Sequence, residues 1–123
     1  MSIFSVLSNH MDWLSQRYSV AARNTANSDT PGYKSQQLSA FNDVLQAHGL
    51  SLTTTQVGHL APTPSDQPSY AISPQHNSEM KTSGNDVAID KEMQEIGDTS
   101  RQFAADINLE KVFQRMFLSS LKG

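Results

Sequence analysis

The sequence predicts a mainly α-helical chain in which long N- and C-terminal helices pack as an antiparallel, coiled-coil-like hairpin around a poorly structured middle loop. Three observations support this prediction. Apolar residues recur every three or four positions over residues 3–27, as on one face of a helix. The same kind of pattern returns over residues 88–121. Between them, residues 50–85 are rich in Ser, Thr and Pro and poor in charge, which disfavours a packed core there.

The first segment, residues 1–34, is expected to be one helix followed by a tight turn. The helix must end near Asn27, because Pro31 lacks an N–H group and disfavours helical geometry at Thr30. Pro31 and Gly32 fit the central pair of a type II turn, in which glycine supplies the positive φ. The heptad-type positions of the helix are Phe4, Leu7, Met11, Leu14, Tyr18, Ala21 and Thr25. A second apolar stripe beside them contains Ile3, Val6, Trp13 and Val20, and a face this wide indicates neighbours on more than one side.

Residues 35–49 are predicted to form a short helix closed by Gly49. Residues 50–85 are predicted to be an extended loop, in which residues 50–53 and 70–72 are candidates for short strands. Residues 86–123 complete the chain as the C-terminal helix, and both ends together form a single assembly domain.

The C-terminal helix has acidic residues in its first half and basic residues at its end, which matches the helix dipole. Asn85 or Asp86 is expected to cap its first turn. At ~1.5 Å per residue, residues 88–121 would span about 50 Å, which is more than a small globular domain needs.

Neither amphipathic helix gains much by standing alone in water, so the simplest arrangement packs the two against each other. That pairing leaves Trp13, Val20, Phe113 and Phe117 as candidates for exposure, and residual apolar faces indicate an interface with other molecules. Head-to-tail use of unlike faces generates open helical filaments. The predicted assembly residues are Phe4, Leu7, Met11, Trp13, Leu14, Tyr18, Val20, Phe103, Ile107, Phe113, Met116, Phe117 and Leu121.

Composition argues against several other classes of function. The net charge of −3 and the scattered basic residues disfavour nucleic-acid binding. The chain has no cysteine, which excludes disulfides, zinc thiolate sites and cysteine nucleophiles. No nucleophile and base pair, phosphate-binding loop or metal-ligand spacing of histidines is present, so we expect no enzyme activity, cofactor, metal or small-molecule substrate. The start of the sequence lacks the pattern of a secretory signal peptide, and no stretch of about 18 apolar residues could span a membrane.

Two motifs resemble those of bacterial flagellar axial proteins. Residues 24–33 read NTANSDTPGY and resemble the N-x-A-N-x-x-T-P-G-[YF] signature of flagellar rod, hook and axial proteins. Residues 84–93 read GNDVAIDKEM and resemble the G-N-x-V-D-[LI]-D-x-E-M stretch that opens the C-terminal helix of the smaller rod proteins, with Ala88 where an acidic residue is usual. Within the basal-body rod family, the chain is most similar to proximal-rod proteins. The residues of the signature turn are Asn24, Asn27, Asp29, Thr30, Pro31, Gly32 and Tyr33.

The resemblance implies a structural subunit of the proximal rod, which polymerises with itself and other rod proteins into the torque-transmitting drive shaft in the periplasm. It implies the rod-base adaptor and membrane-ring proteins as further partners. It also implies export by the flagellum's own type III apparatus without a cleaved signal peptide. The residues alone leave one alternative, a helical adaptor or chaperone of a type III secretion or flagellar export system, which would form a discrete cytoplasmic dimer.

Overall fold

The structure is a computed structural model that describes residues 2–49, 70–75 and 84–123. Its elements along the chain are helix α1 (Ile3–Ala26), strand β1 (Gln36–Leu38), helix α2 (Phe41–Gly49), strand β2 (Ile72–Pro74) and helix α3 (Ile89–Lys122).

The two long helices, α1 and α3, pack against each other in opposite directions. Near the start of α1, the ring of Phe4 meets that of Phe113 edge-on, with 6.3 Å between centroids. Further along α1, Arg17 forms an ion pair with Glu95, which lies near the start of α3. Residues with higher numbers in α1 therefore contact residues with lower numbers in α3. The predicted antiparallel pairing of the terminal helices is confirmed.

The ends of both helices have local causes, although one predicted cap is wrong. The Ser2 side chain accepts a hydrogen bond from the backbone N–H of Ser5 at 3.2 Å, as an N-cap should. Helix α3 instead begins after Ala88, which has no side-chain capping bond. Asn85 and Asp86, the expected caps, are used elsewhere, as described below.

A small antiparallel sheet replaces the first part of the predicted short helix. The prediction of helix over residues 35–49 is wrong for its first residues, because Gln36–Leu38 pairs with Ile72–Pro74 and helix α2 begins only at Phe41. Leu38 lies opposite Ile72, and Ser39 N donates to Ala71 O at 2.9 Å. Strand β2 overlaps the candidate strand at residues 70–72, whereas the candidate at residues 50–53 lies outside the described residues.

The core lies where this sheet and α2 meet the middle of α1. The Trp13 indole donates from Nε1 to the carbonyl of Ser39 at 2.8 Å and stacks on the His10 ring, with 5.7 Å between centroids. His10 in turn lies with Nδ1 2.5 Å from a carboxylate oxygen of Asp106 on α3. The core cluster comprises Trp13, Leu14 and Val44, with Leu38, Phe41, Tyr70 and Phe103 packed around it.

The wide apolar face of α1 therefore has two neighbours within the same chain, α3 on one side and the β1–α2 segment on the other. As candidates for exposure, Trp13 and Val20 are wrong, because their side chains are 8% and 5% exposed. For Trp13 the physical reason is its packing in the core cluster with residues of the β1–α2 segment, whereas Ile3 of the same stripe is 50% exposed.

Candidate functional site

The two sequence motifs meet in space, in a region that we call the junction (residues 24–36 and 84–87). Asn85, only 1% exposed, is its central side chain. Its Nδ2 donates to the carbonyls of Asn27 at 2.9 Å and Thr30 at 2.7 Å. Its Oδ1 accepts from the backbone N–H of Val87 at 2.8 Å. One side chain thus joins the end of α1 to the segment that leads into α3.

Asp86 adds a second link between the motifs. Its carboxylate accepts a hydrogen bond from Ser35 N at 2.6 Å, and its own backbone N–H donates to Tyr33 O at 3.3 Å. Lys34 Nζ donates to the carbonyl of Gly84 at 3.1 Å. These contacts hold residues 33–35 beside residues 84–86, which lie about 50 positions later in the sequence.

Asn24 links the last turns of α1 to the residues after the turn, all within or next to the N-terminal motif. Its Nδ2 donates to Gln36 O at 2.7 Å, while its Oδ1 accepts from Gln36 N at 3.0 Å and from the Tyr33 hydroxyl at 3.2 Å. The side-chain amide of Asn24 therefore makes the same pair of hydrogen bonds with the Gln36 backbone that a neighbouring β-strand would make. These two bonds hold the start of β1 against α1.

The turn between α1 and β1 has the geometry that the sequence predicts. Gly32 has φ of +74°, and Tyr33 N donates to Thr30 O at 3.2 Å, as in a type II turn with Pro31 before the glycine. Gly84 also has positive φ, +77°, and a Cβ added there would lie 3.6 Å from the Gly32 Cα. That distance is an ordinary contact, so backbone conformation rather than lack of space favours glycine at both positions.

Glu92, in the first turn of α3, lies beside the junction and is only 4% exposed. Burial raises the pKa of its carboxyl above the usual range, although a hydrogen bond with Asn24 opposes the rise. The nearby Glu95 raises this pKa further and Lys91 lowers it. Across the described residues, no buried side-chain nitrogen or oxygen lacks a hydrogen-bond partner. The buried side-chain nitrogen and oxygen atoms of the junction are thus all hydrogen-bonded.

The residues of the predicted signature turn are brought together by the structure. Asn24, Asn27, Thr30 and Tyr33 take part in the hydrogen bonds of the junction, whereas Asp29 lies exposed on the turn surface. Sequence reasoning missed that Asn85 and Asp86 complete this network. The available signal was that both motifs contain short amide and carboxylate side chains, which bond readily to backbone groups.

The predicted assembly residues fall into three groups by exposure. Those buried within the chain are Leu7, Trp13, Leu14 and Val20. Those partly buried are Met11, Phe103, Ile107 and Phe113. Those exposed are Phe4, Tyr18, Met116, Phe117 and Leu121.

The exposed apolar residues are concentrated at the end of α3. We use the term apolar end for residues 109–122, where six large apolar side chains are 43–68% exposed. They are Leu109, Val112, Met116, Phe117, Leu118 and Leu121. A concentration of exposed apolar side chains on one helix end is typical of surfaces that contact another molecule.

A groove of about 880 Å³ opens on the other part of the molecule, between α1, the β1–α2 segment and the first half of α3. Trp13 and Leu38 contribute apolar surface to it, and Asp43, Glu95 and Asp98 contribute carboxylates. Among residues 2–49, 70–75 and 84–123, no group of three or more His, Asp or Glu side chains is placed to hold a metal ion. The described helices include none with the length and apolar character needed to cross a membrane.

Comparison with known proteins agrees with the two motifs. No protein-family model matches the chain. The chain is 33% identical, over 126 residues, to the flagellar basal body rod protein FlgB of Agrobacterium fabrum (strain C58), and the match covers 99% of this chain and 94% of that protein. The chain belongs to the FlgB family of flagellar basal-body rod proteins. The resemblance found in residues 24–33 and 84–93 is confirmed.

Membership of the FlgB family supports a structural role in the flagellar basal-body rod. It also favours a structural protein over an enzyme. Within this FlgB-family chain, the junction and the apolar end are the two regions whose chemistry bears on that role.

Proposed function

We propose that this FlgB-family chain is a subunit of the proximal rod that polymerises with its own copies and with other rod proteins to form the torque-transmitting shaft. We further propose that it leaves the cytoplasm through the flagellar type III apparatus without a cleaved signal peptide and works in the periplasmic rod. Its other neighbours would be the adaptor and membrane-ring proteins at the rod base.

The observation that best supports polymerisation is the apolar end of α3. Phe117 and Leu121 are 58% and 68% exposed, and full burial of a large apolar side chain is worth about 1.5–3 kcal/mol. Six such side chains on one helix end give a strong driving force for association once neighbouring subunits cover them.

The rest of the fold supports a role in transmitting torque. Helices α1 and α3 are joined at one end by the junction and at the other by the contact between Phe4 and Phe113. Close packing and directional hydrogen bonds resist relative sliding of the two helices. A torque applied to α3 would therefore be transmitted to α1 with little relative movement of the two helices.

The proposal is tested by isolating basal bodies, removing hook and filament, and searching for the chain by mass spectrometry. We expect it in the detergent-resistant rod at a few copies per particle. Detection only in the cytoplasmic fraction would instead support the adaptor or chaperone alternative.

A matched pair of variants tests whether the apolar end is needed. Phe117→Asp places a charge on an exposed apolar position, and Gln102→Asp places the same charge on an exposed polar position of α3 outside the apolar end. Phe117 is a better target than Phe113, because the Phe113 ring also packs on Phe4 within the chain. We expect Phe117→Asp to be exported but absent from rods and non-motile in soft agar, and Gln102→Asp to be incorporated and motile. Equal motility of the two variants would contradict the proposal.

A further inference from the structure

We infer that the free subunit binds the surface of an anionic phospholipid membrane through the end of the α1–α3 pair at which α1 begins and α3 ends. We use the term tip for this end, residues 2–8 and 111–122. The inference goes beyond the proposed function, because it concerns the chain before neighbouring subunits cover the same apolar side chains.

Both helices contribute exposed apolar side chains to the tip. Ile3 and Phe4, in the first turn of α1, are 50% and 40% exposed. Phe4 packs on Phe113, so the start of α1 lies beside this part of α3. Helix α3 continues to Lys122. Phe117 and Leu121 follow Phe113 at intervals of four residues and therefore extend the same side of α3 past the start of α1. This position explains why both side chains are more than half exposed.

The tip is basic, although the whole chain is acidic. Residues 2–8 contain no charged side chain, and residues 111–122 contain Lys111, Arg115 and Lys122 but no Asp or Glu. The whole chain has a net charge of −3, so its excess of acidic residues lies entirely outside the tip. A negatively charged surface therefore attracts the tip and repels the rest of the molecule. Each Lys or Arg near an anionic membrane strengthens binding by about fivefold.

The basic and apolar side chains of the tip lie on different faces of α3. The three cations occupy positions i, i+4 and i+11, a spacing that places them on one face at 3.6 residues per turn. Met116, Phe117 and Leu121 lie about 100–140° around the helix from the centre of that face. A helix with Lys and Arg on one face and Phe, Leu and Met on the other is suited to lie in a membrane interface with its apolar face among the acyl chains.

The cations remain near the lipid headgroups in this arrangement. A helix is about 10–12 Å wide, and the long side chains of Lys and Arg can extend their charge back toward the headgroup layer. The helix lies on the membrane and does not cross it. The same separation of faces disfavours a second tip as the partner, because contact between two tips would bring their cations together. A bilayer instead supplies both negative headgroups and an apolar interior.

Sedimentation of the purified chain with lipid vesicles tests the inference. We expect the chain to bind vesicles of phosphatidylglycerol and phosphatidylcholine in equal parts at least about tenfold more tightly than vesicles of phosphatidylcholine alone. High salt should release it, because the headgroup charge is then screened. Sedimentation without vesicles is measured in parallel, since it reports assembly of the chain with itself. Equal binding to the two kinds of vesicle, or sedimentation that vesicles do not increase, would overturn the inference.

Two matched variants test whether the charge of the tip is what the membrane attracts. Arg115 and Arg101 are both exposed on α3, but Arg101 lies outside the tip and pairs with Asp98. We expect Arg115→Gln to weaken binding to the anionic vesicles about fivefold, and Arg101→Gln to weaken it less than about twofold. Equal losses would show that only the total charge of the chain matters, which contradicts a role for the tip.

A second matched pair tests the apolar side chains. Met116 in the tip and Met93 near the start of α3 are exposed to nearly the same extent, 61% and 63%. We expect Met116→Gln to weaken vesicle binding about three- to tenfold, as loss of a largely buried apolar side chain would, and Met93→Gln to leave it unchanged. Circular dichroism checks that both variants are folded. An equal effect of the two substitutions would contradict insertion of the tip.

These measurements are independent of the proposed rod role. If the chain is present in basal bodies but does not bind anionic vesicles, the inference is wrong and the rod role stands. If the chain binds the vesicles through its tip but is absent from basal bodies, the inference stands and the proposed function fails.

Discussion

The junction and the apolar end differ in what they leave for other molecules. At the junction, the side chains of Asn24, Asn85 and Asp86 are almost completely buried and find all their partners within the chain. At the apolar end, Met116 and Leu121 are more than 60% exposed. Within the described residues, the chain thus completes this polar network alone but leaves the side chains of the apolar end exposed.

The physical character of the two interactions explains this division. Hydrogen bonds need fixed distances and angles, so a network such as the junction is best assembled within one molecule. Apolar contacts are non-directional and depend chiefly on the area removed from water. They can therefore join subunits whose relative orientations differ along an assembly. The following four predictions compare the two regions in order of decreasing effect on stability.

The largest loss is expected from Asn85→Ala at the junction. The substitution removes three hydrogen bonds, each worth about 0.5–1.5 kcal/mol, and leaves the buried N–H of Val87 without this partner. The carbonyls of Asn27 and Thr30 keep their bonds from Thr30 N and Tyr33 N. We expect the free energy of unfolding to fall by roughly 3 kcal/mol in urea titrations followed by circular dichroism. Asn108→Ala, on an exposed position of α3, is the control and should change it by less than about 0.5 kcal/mol.

A smaller loss is expected from Gly32→Ala. Space is available for a Cβ there, but the positive φ costs an alanine about 1–2 kcal/mol. The same substitution at Gly97, inside α3 and likewise free of close contacts, should stabilise the chain by about 1 kcal/mol, because alanine favours helix. In thermal melts we expect Gly32→Ala to lower the melting temperature and Gly97→Ala to raise it. An unchanged or raised melting temperature for Gly32→Ala would contradict the cost assigned to the turn conformation.

Glu92→Gln tests the buried carboxyl beside the junction. Because burial raises its folded-state pKa, the folded chain holds this proton more tightly than the unfolded chain does. The stabilising contribution of Glu92 is therefore complete below its unfolded-state pKa and is lost as pH rises through the raised value. We expect Glu92→Gln to unfold at higher urea than the parent at pH 7 and to lose that advantage by about pH 3. An advantage of equal size at both pH values would show that ionisation is not the cause, and Glu110→Gln on the same helix serves as the control.

Met116→Gln should have the smallest effect on the isolated chain. Both residues favour helix and the position is 61% exposed, so the free energy of unfolding should change by less than about 0.5 kcal/mol. Incorporation into rods should nevertheless fall sharply, as measured by quantitative mass spectrometry of basal bodies. A variant that incorporated normally would show that this part of the apolar end has no neighbour in the assembly.

Long periodic elements could be predicted from the sequence, whereas features set by distant contacts could not. Helices α1 and α3 follow from apolar spacing repeated over many turns, and the type II turn follows from Pro31 and Gly32. Strand β1 could not be predicted, because Gln36 is extended through its bonds to Asn24 and its pairing with Pro74. The intrinsic β-propensity of a short segment does not depend on such distant partners, so it could not predict this strand.

The site was predicted in part for the same reason. The wide apolar face of α1 correctly indicated a second neighbour, and the β1–α2 segment of the same chain is one such neighbour. The roles of Asn85 and Asp86 also depend on a contact with a turn some 50 positions earlier, so local capping patterns assigned them to the wrong helix end. Which neighbours cover the predicted assembly residues stays a prediction.

The hydrogen bond from Ser35 N to the Asp86 carboxylate has a topological consequence. It brings together two points 51 positions apart, so the chain leaves the helix pair and returns to it at one place. A segment spliced between Gly49 and Tyr70 would therefore leave every hydrogen bond of the junction intact. Its entropic penalty would grow only slowly, by about 0.6 kcal/mol for each doubling of loop length. The α1–α3 pair can thus carry inserted segments of very different length while its own packing stays unchanged.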